Sequence, residues 1–263
     1  MRVGVFGAAG RMGAEVCRAV SLDPQLDLVA ALDPHHAGLD LRQVTGLDTD
    51  LHVVGDPSVL EAAAVDVAVD FTEIAAARAN LDWCADHGVH AVVGTTGFTD
   101  ADLAHVGARF GDAGTGCVIA PNFAIGAVLM MRFAELASPW FDTAEVIELH
   151  HDAKLDAPSG TAMTTVERMA AASSTWAPDP TRDEVVAGAR GAEAAPGIRV
   201  HSVRLRGLVA HQEVLLGTTG QSLTIRHDSY DRTSFMPGVL LAIKEVPDRP
   251  GLTIGLEPIL GLD

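Results

Sequence analysis

The residues best suited to chemistry stand in one continuous stretch, Glu148 to Ala162, which reads ELHHDAKLDAPSGTA. It joins two consecutive imidazoles, His150 and His151, to the amine of Lys154. An imidazole can donate or accept a proton near neutral pH, and an ammonium group can stabilise developing negative charge. The stretch therefore predicts proton transfer at a small anionic substrate.

The end of this stretch has the composition of a helix start. Ser159, Gly160 and Thr161 precede an Ala-rich run, and the free N–H groups of a helix N-terminus bind carboxylates well. If the preceding strand continues through His150 and His151, period-2 alternation sends their side chains to opposite faces, so the two should have different roles.

Each of these features also has a plainer interpretation. An adjacent histidine pair is by itself more often a surface feature than a catalytic one, and the Ser-Gly-Thr turn could only cap a helix. A metal site is disfavoured, because consecutive histidines on one strand diverge and no third ligand stands at a suitable spacing.

A glycine turn near the N-terminus predicts a phosphate-binding site. A strand-like run, Val3–Phe6, leads directly into GAAGRMG at Gly7 to Gly13, and a helical run follows. Gly7 would permit a tight turn, Gly10 a close approach of phosphate to the backbone, and Gly13 close packing of helix on strand. The spacing is GxxGxxG rather than GxGxxG, so an ordinary strand-to-helix turn is the alternative.

Asp33 closes the second predicted strand, 20 residues after Gly13, where a carboxylate can accept hydrogen bonds from ribose hydroxyls. It would repel the extra phosphate of NADPH, which favours NADH or dual use, with Arg11, His35 and His36 as partial compensation. The alternative is a turn or N-cap aspartate before Pro34.

Two patterns of predicted secondary structure position these residues. Up to about Phe123, short β-branched runs alternate with Ala-rich helical runs, which predicts a Rossmann-like parallel sheet with its ligand at the carboxyl ends of the strands. The predicted strands are Val3–Phe6, Leu28–Leu32, Val65–Asp70, Ala91–Gly94 and Cys117–Ala120, and the predicted helices are Met12–Ser21, Ile74–His87 and Thr99–Phe110, the last two with Thr72 and Thr99 as N-caps.

The second half predicts an α+β domain with a mixed or antiparallel sheet. After a helix at Phe123–Ala137, three strands without intervening helices have the spacing of an antiparallel meander, and Ala177–Gly197 has the composition of an exposed loop. The other predicted elements are strands Glu145–Leu149, Ile198–Leu205, Gln212–Leu216 and Leu223–His227, and helices Gly160–Ser173 and Pro237–Glu245.

Composition excludes several classes of protein. The 263 residues carry a formal net charge of −17, which argues against binding to nucleic acid or to an anionic membrane. Cys17, Cys84 and Cys117 lack CxxC spacing, so neither a disulfide framework nor a thiolate zinc site is expected. The N-terminus has no secretion signal, and Phe123–Ala137 is too short for a membrane span, so a cytoplasmic protein is expected.

Over essentially its whole length the chain resembles the 4-hydroxy-tetrahydrodipicolinate reductase family, formerly called dihydrodipicolinate reductase. The family signature HHxxKxDAPSGTA stands here at His150 to Ala162. The supporting segments are Gly7–Gly13, Val69–Thr72, Gly94–Phe98, Ala120–Phe123 and Ser234–Gly238.

The resemblance implies an NAD(P)H-dependent reductase of a small dicarboxylic imine in lysine and diaminopimelate biosynthesis. It implies a dinucleotide-binding domain at 1–123 and a substrate-binding and oligomerisation domain at 124–234 that closes over the cofactor. The segment at 235–263 would return to the first domain. The protein would be a homotetramer built through the second domain's sheet.

The resemblance also implies roles for individual residues. His150 would donate or accept a proton, and Lys154 would be a second proton donor that engages substrate. His151, Gly160 and Thr161 would hold a substrate carboxylate. The implied cofactor site consists of Gly7, Ala8, Ala9, Gly10, Arg11, Met12, Asp33, Gly94, Thr95, Thr96, Ala120, Pro121, Asn122 and Phe123.

Two departures from the family pattern bear on these roles. Asp33-Pro34 replaces the Glu-Arg that accompanies NADPH use in some members, which leaves the choice between NADH and NADPH open. Asp152 adds a carboxylate that would raise the pKa of a neighbouring histidine if it points inward. The alternatives are another two-domain dehydrogenase of a small amino-acid-derived acid, or a non-catalytic dinucleotide sensor, neither of which needs the His150–Thr161 segment.

Overall fold

The chain forms two units, one made of Met1–Ala124 with the C-terminal segment from Phe235, the other of Ile125–Ser234. The structure, a computed structural model, describes residues 1–262. The strands are β1 Arg2–Phe6, β2 Asp27–Leu32, β3 Val53–Val54, β4 Val67–Asp70, β5 His90–Val93, β6 Gly116–Ile119, β7 Thr143–His150, β8 Ala192–Ala195, β9 Ile198–Arg204, β10 Ala210–Thr218, β11 Gln221–Ser229 and β12 Gly251–Ile254. The α-helices are α1 Arg11–Leu22, α2 Leu41–Thr45, α3 Ser58–Ala62, α4 Ile74–Asp86, α5 Asp100–Ala113, α6 Ile125–Ala137, α7 Gly160–Ala172, α8 Met236–Glu245 and α9 Glu257–Leu260.

The first unit is built on a parallel sheet with strand order β12-β6-β5-β4-β1-β2-β3. Its central strands are buried, as near-continuous apolar runs require in a sheet covered on both faces. The five predicted strands and three predicted helices of this region are confirmed, with ends shifted by at most a few residues. The carboxyl ends of β1, β2 and β4 meet at one edge, where a ligand is expected.

Two short strands of this sheet were not predicted from the sequence. β3 has only two residues, and β12 adds to the far edge by pairing Gly251 with Gly116 through to Ile254 with Ile119. Both are edge strands too short to show a periodic pattern. Through β12 the C-terminal segment completes the first unit's sheet.

One of the two predicted helix caps is wrong. Thr99 caps α5 in a capping box with Asp102, as expected. The N-cap of α4 is Glu73, without a side-chain cap, and the Thr72 hydroxyl instead donates to Asp70 Oδ1 at 2.6 Å. The Thr72 hydroxyl binds the buried Asp70 carboxylate instead of capping the helix, because a hydrogen bond to an ionised acceptor is stronger than one to a neutral group.

The second unit contains a mixed sheet with strand order β11-β10-β7-β9-β8. β10 pairs antiparallel with β11 and β7, whereas β9 pairs parallel with β7 and antiparallel with β8. The predicted meander is therefore confirmed for β10 and β11, which pair antiparallel, and wrong for β9, because β7 lies between β9 and β10. The expected loop at Ala177–Gly197 also contains β8, whose alanine-rich sequence has little strand propensity.

Helices α6 and α7 pack on one face of this sheet. Their core includes Val146, Val214 and Ile198 from the strands, with Val166 and Met169 from α7. By period-2 alternation Glu148 and His150 lie on the same face of β7 as Val146. None of the helices within residues 1–262 has the length and apolar content that crossing a membrane requires.

Candidate active site

The glycine turn joins β1 to α1 in a conformation that requires glycine. Gly7 has φ +69°, and its carbonyl oxygen accepts a 2.9 Å hydrogen bond from the Gly10 N–H. A Cβ on Gly13 would lie only 2.0 Å from Gly7 O, so α1 packs directly on the turn, as the spacing predicted. Gly10 is exposed and caps α1 without a side chain, which leaves N–H groups of the first helical turn free for an anion.

A cavity of about 480 Å³ lies at the carboxyl ends of β1, β2 and β4, within the size range of small-ligand sites. Three predicted cofactor residues, Gly7, Gly10 and Asp33, line it. The other lining residues are Phe6, Leu32, Pro34, His35, Gly55, Pro57, Phe71, Thr72, Glu73, Ala76 and Asn80. Apolar walls, the carboxylate of Asp33 at the end of β2 and a glycine turn are a suitable environment for the adenosine and phosphate parts of a dinucleotide.

Asp33 caps the turn before Pro34, which is the second of the two interpretations of its sequence position. It is buried and caps a short 3-10 helix, Pro34–His36, by accepting the His35 N–H at 3.0 Å. His36 Nδ1 lies 3.0 Å from the same oxygen, Oδ1. Because both contacts use Oδ1, the carboxylate can cap the turn and still offer Oδ2 to a ligand in the cavity.

The other predicted cofactor residues form loops around the strand ends, outside the lining of this cavity. Thr95 is buried and its hydroxyl donates to the Thr72 carbonyl at 2.8 Å. A Cβ on Gly94 would lie 2.0 Å from the Phe71 ring, which in turn packs against Phe123 at 5.7 Å between ring centroids. Ala8 and Ala120 have essentially no exposed surface, Thr96, Pro121 and Arg11 are exposed, and Ala9, Met12 and Asn122 are half-buried.

Asp70 organises these loops, and sequence reasoning assigned it no role. The carboxylate is 2% exposed and accepts the Thr72 N–H at 2.7 Å and the Asn80 amide at 2.7 Å. It thereby holds the end of β4 to the loop before α4 and to Asn80 in the middle of that helix. A charged residue that closes an apolar strand, followed by Thr, was the available signal.

In the second unit, β7 ends at His150, so the strand does not continue through both histidines and the condition for sending them to opposite faces is not met. His150 is half-buried, with 15% of its side chain exposed, whereas His151 lies beyond the strand and is exposed. The difference in environment comes from the end of the strand rather than from alternation within it.

His150 is held by a buried carboxylate. Its Nδ1 lies 2.5 Å from Oε2 of Glu148, a side chain with 0% exposure. Arg204 on β9 donates two hydrogen bonds of 2.8 Å to the same carboxylate, one to each oxygen. Burial alone would raise the pKa of Glu148, but hydrogen bonds from Arg204, Ser202 and His150 outweigh it and hold that pKa below its ordinary value.

The environment of the His150 imidazole favours its neutral form. Burial lowers its pKa below the ordinary 6.5, and the charges of Lys154 and Arg204 lower it further, against the opposing effect of Glu148. The sequence allowed Asp152 to raise this pKa if it pointed inward. Asp152 instead pairs with the exposed Arg206 at 2.9 Å, so that expectation does not hold.

Lys154 and the start of α7 lie on the loop that follows. The Lys154 ammonium donates to both carboxylate oxygens of Asp156 at 2.9 Å, so a substrate carboxylate must compete with this partner. Ser159 caps α7 by accepting the Ala162 N–H at 3.2 Å. Gly160 is exposed and Thr161 half-exposed, so N–H groups at this helix start are available to an anion.

The sheet below this loop carries two rows of mostly polar side chains, of which the sequence had assigned a role only to His150. Gln212 is the most informative member, because its amide donates to the Thr165 hydroxyl at 2.7 Å, which donates to the Thr161 carbonyl at 2.7 Å. The first turn of α7 is thus tied to the sheet. The rows consist of His227, Gln212, Glu148 and Ser202, and of Ser229, Ala210, His150 and Arg204.

Two family models account for almost the whole chain. The model for the dihydrodipicolinate reductase N-terminus matches residues 1–123, and the model for the C-terminus matches residues 126–260. The chain belongs to the dihydrodipicolinate reductase family. It is a pyridine-nucleotide-dependent oxidoreductase of a family that serves lysine and diaminopimelate biosynthesis, and the second match excludes a sensor that shares only the nucleotide-binding domain.

Members of the dihydrodipicolinate reductase family resemble the chain from end to end. It is 51% identical over 265 residues to a 4-hydroxy-tetrahydrodipicolinate reductase of Mycobacterium sp. (strain KMS), with 100% of both chains covered. It is 49% identical over 268 residues to the reductase of Cutibacterium acnes, again with 100% of both covered. A dipicolinate-bound dihydrodipicolinate reductase from Paenisporosarcina sp. TG-14 matches with 42% identity and a TM-score of 0.87, covering 98% of this chain and 99% of that one.

Proposed function

We propose that the chain reduces 4-hydroxy-tetrahydrodipicolinate to tetrahydrodipicolinate at the expense of NADH or NADPH. The observation that carries the proposal is the geometry around His150, an imidazole with one nitrogen fixed by a buried carboxylate, on the same segment as Lys154 and the N-terminus of α7. The names of the relatives support this substrate, and so does the planar ring dicarboxylate bound by the Paenisporosarcina enzyme.

The cofactor would be held by the first unit. The Gly7–Met12 turn would bind the pyrophosphate, Asp33 the adenosine ribose, and the loops Gly94–Thr96 and Ala120–Phe123 the rest of the dinucleotide. When bound, the reduced nicotinamide supplies the hydride. The fit rests on the glycine turn, where the backbone is bare at Gly10, and on the cavity that Asp33 lines.

The second unit would hold the substrate. A ring with two carboxylates needs local positive potential, because the chain as a whole carries a net charge of −17. Lys154, His151 and the N–H groups of Gly160 and Thr161 supply it on one short segment. Lys154 would exchange Asp156 for the substrate, where its ammonium stabilises charge and can donate a proton.

His150 would handle the proton that completes the reduction. The overall change removes the hydroxyl group together with a neighbouring ring hydrogen as water, which gives the unsaturated imine, and adds one hydride and one proton to the ring. Hydride addition to the unsaturated imine leaves an electron-rich enamine, which must be protonated. The Nδ1 of His150 faces Glu148, so a proton exchanged with the substrate passes through Nε2, which carries one only in the protonated imidazole.

Asp33 favours NADH, or both cofactors, over strict use of NADPH. The carboxylate would repel a 2′-phosphate, while the imidazole of His36, 3.0 Å away, would partly offset that repulsion. The proposed cofactor choice is therefore NADH or dual use.

A homotetramer in the cytoplasm completes the proposal. Helices α6 and α7 pack on one face of the second unit's sheet, and the opposite face carries half-buried Ile147, Leu149 and Leu215. A sheet face with such side chains is suited to pairing between copies. Light scattering should give a mass near four times 27.4 kDa, and a monomer would contradict this part of the proposal.

The deciding experiment is a coupled assay. The chain is mixed with freshly made product of the synthase that precedes the reductase, and the consumption of NADH and of NADPH is followed in parallel reactions. We expect rapid oxidation that depends on the synthase product, with NADH at least as effective as NADPH. Absence of oxidation with both cofactors would overturn the proposed substrate.

A further inference from the structure

A carboxylate on the apolar face of β7 has no evident structural purpose. Glu148 follows Val146 on the side of the sheet that packs against α6 and α7, and its side chain is completely buried. A buried charge is costly unless it is paired and hydrogen-bonded, and an apolar residue would pack there without that cost. Its presence therefore calls for another explanation.

Two of the partners of Glu148, His150 and Arg204, connect it to the proposed proton-transfer group and its loop. Oε2 faces His150 Nδ1 at 2.5 Å, and Arg204 holds both oxygens at 2.8 Å. The same Arg204 guanidinium donates to the backbone carbonyl of Asp156 at 2.6 Å, which fixes the loop that carries Lys154.

The carboxylate also determines which nitrogen of His150 carries the proton. An ionised carboxylate only accepts hydrogen bonds, so Nδ1 must be the protonated nitrogen and Nε2 is the one left for substrate. Among residues 1–262, the contact with Glu148 is the only hydrogen bond that the His150 side chain makes. Without Glu148, the imidazole could rotate and change tautomer.

We propose that Glu148 and Arg204 are positioning residues for the reaction proposed above, on which this inference rests. Glu148 fixes the tautomer and orientation of His150 and stabilises its protonated form. Arg204 fixes Glu148 and ties it to the loop of Lys154. Neither needs to touch the substrate.

The same strand offers a matched control. Glu145 lies on the opposite face of β7 and has equivalent partners, with His201 Nε2 at 2.6 Å and Arg190 at 2.6 Å. Glu145→Gln therefore removes a carboxylate from a Glu-His-Arg group that is outside the candidate site; because Glu145 lies on the face proposed above for pairing between copies, the mass of this variant in solution is checked against the wild type. It matches Glu148→Gln in chemistry and strand.

Glu148→Gln should lower kcat by about 10²-fold, the lower end of what general acid–base catalysis contributes, with little change in the KM for NADH. It should also move the limb of the pH profile that reports His150 to lower pH. Among the groups that face this imidazole, Glu148 raises the His150 pKa, whereas burial, Lys154 and Arg204 lower it. Glu145→Gln should change neither quantity.

A merely structural role predicts a different result, in which kcat falls uniformly and the limb does not move. That result, or an equal effect of Glu145→Gln, would overturn the inference. If Glu148→Gln does not fold because Arg204 is left unpaired, Glu148→Gln combined with Arg204→Gln removes both charges. The double variant should fold and remain slow, and full activity in it would also overturn the inference.

A measurement without substrate separates this inference from the proposed function. The ¹⁵N shifts of His150 in the wild-type protein should show the Nδ1–H tautomer, and the Nε2–H tautomer would overturn the inference. An inactive wild type with the Nδ1–H tautomer would instead count against the proposed substrate.

Discussion

At the level of single residues, His150 and Asp33 are the side chains whose roles are most open to test. His150→Gln keeps a polar side chain of similar length but cannot transfer a proton. We expect turnover to fall by about 10²- to 10⁴-fold, the usual loss for a general acid or base. Titration of NADH should show nearly unchanged binding. Unimpaired turnover would remove His150 from the mechanism.

Asp33 should control the choice between NADH and NADPH. Asp33→Ala removes the negative charge, so NADPH affinity should rise relative to NADH by about tenfold, or ~1.4 kcal/mol. His36→Ala is the matched control, because it removes the imidazole 3.0 Å from Asp33 and should shift the ratio the other way. Fluorescence titration with both cofactors measures the ratios. A ratio that Asp33→Ala leaves unchanged would show that Asp33 has no part in the choice.

At the level of elements, the junction of β1 with α1 depends on the absence of a side chain. Gly13→Ala would place a Cβ 2.0 Å from Gly7 O, so helix and turn must separate. We expect a loss of about 1–3 kcal/mol in the free energy of unfolding, typical of overpacking, together with weaker cofactor binding.

Gly111→Ala in α5 is the control for Gly13→Ala. A Cβ at Gly111 would meet nothing within 4 Å, so alanine should stabilise that helix by roughly 0.5–1 kcal/mol. Thermal unfolding of both variants distinguishes the two cases. Equal effects would mean that helix propensity, rather than the close contact at Gly7, dominates at Gly13.

Element prediction succeeded where a pattern is local and failed where pairing is long-range. The strands and helices of the first unit follow from runs of apolar residues and from glycine turns. The order of β9, β7 and β10 does not, because identical local patterns are compatible with a meander or with an inserted strand.

At the level of the whole molecule, stability should fall in two stages as the pH is lowered. The pKa values of His90, His150 and His227 lie below the ordinary 6.5, chiefly because of burial. The unfolded chain therefore binds protons more readily at these sites, and stability should decline as the pH falls below about 7.

The second stage comes from carboxylates. The pKa values of Glu148 and Glu145 lie below the ordinary 4.5, because hydrogen bonds from arginine and histidine outweigh the effect of burial. Their contribution to stability is present above pH 4.5 and is lost as the pH falls through the lowered values. Urea unfolding from pH 8 to 3 measures both stages.

His150→Gln provides a check on the first stage. It should make the decline between pH 7 and 5 shallower than in the wild type. An unchanged slope would show that burial of His150 does not contribute.

The sequence by itself determined which chemical groups are available and which local structures form around them. The turn at Gly7–Gly13, the segment His150–Thr161 and most strands and helices rest on spacing, propensity and backbone geometry, which act over a few residues. Tertiary structure alone decided which distant groups meet. Glu148 and Arg204 stand 56 residues apart and become partners because β9 pairs beside β7, a choice made by burial and packing of the whole sheet.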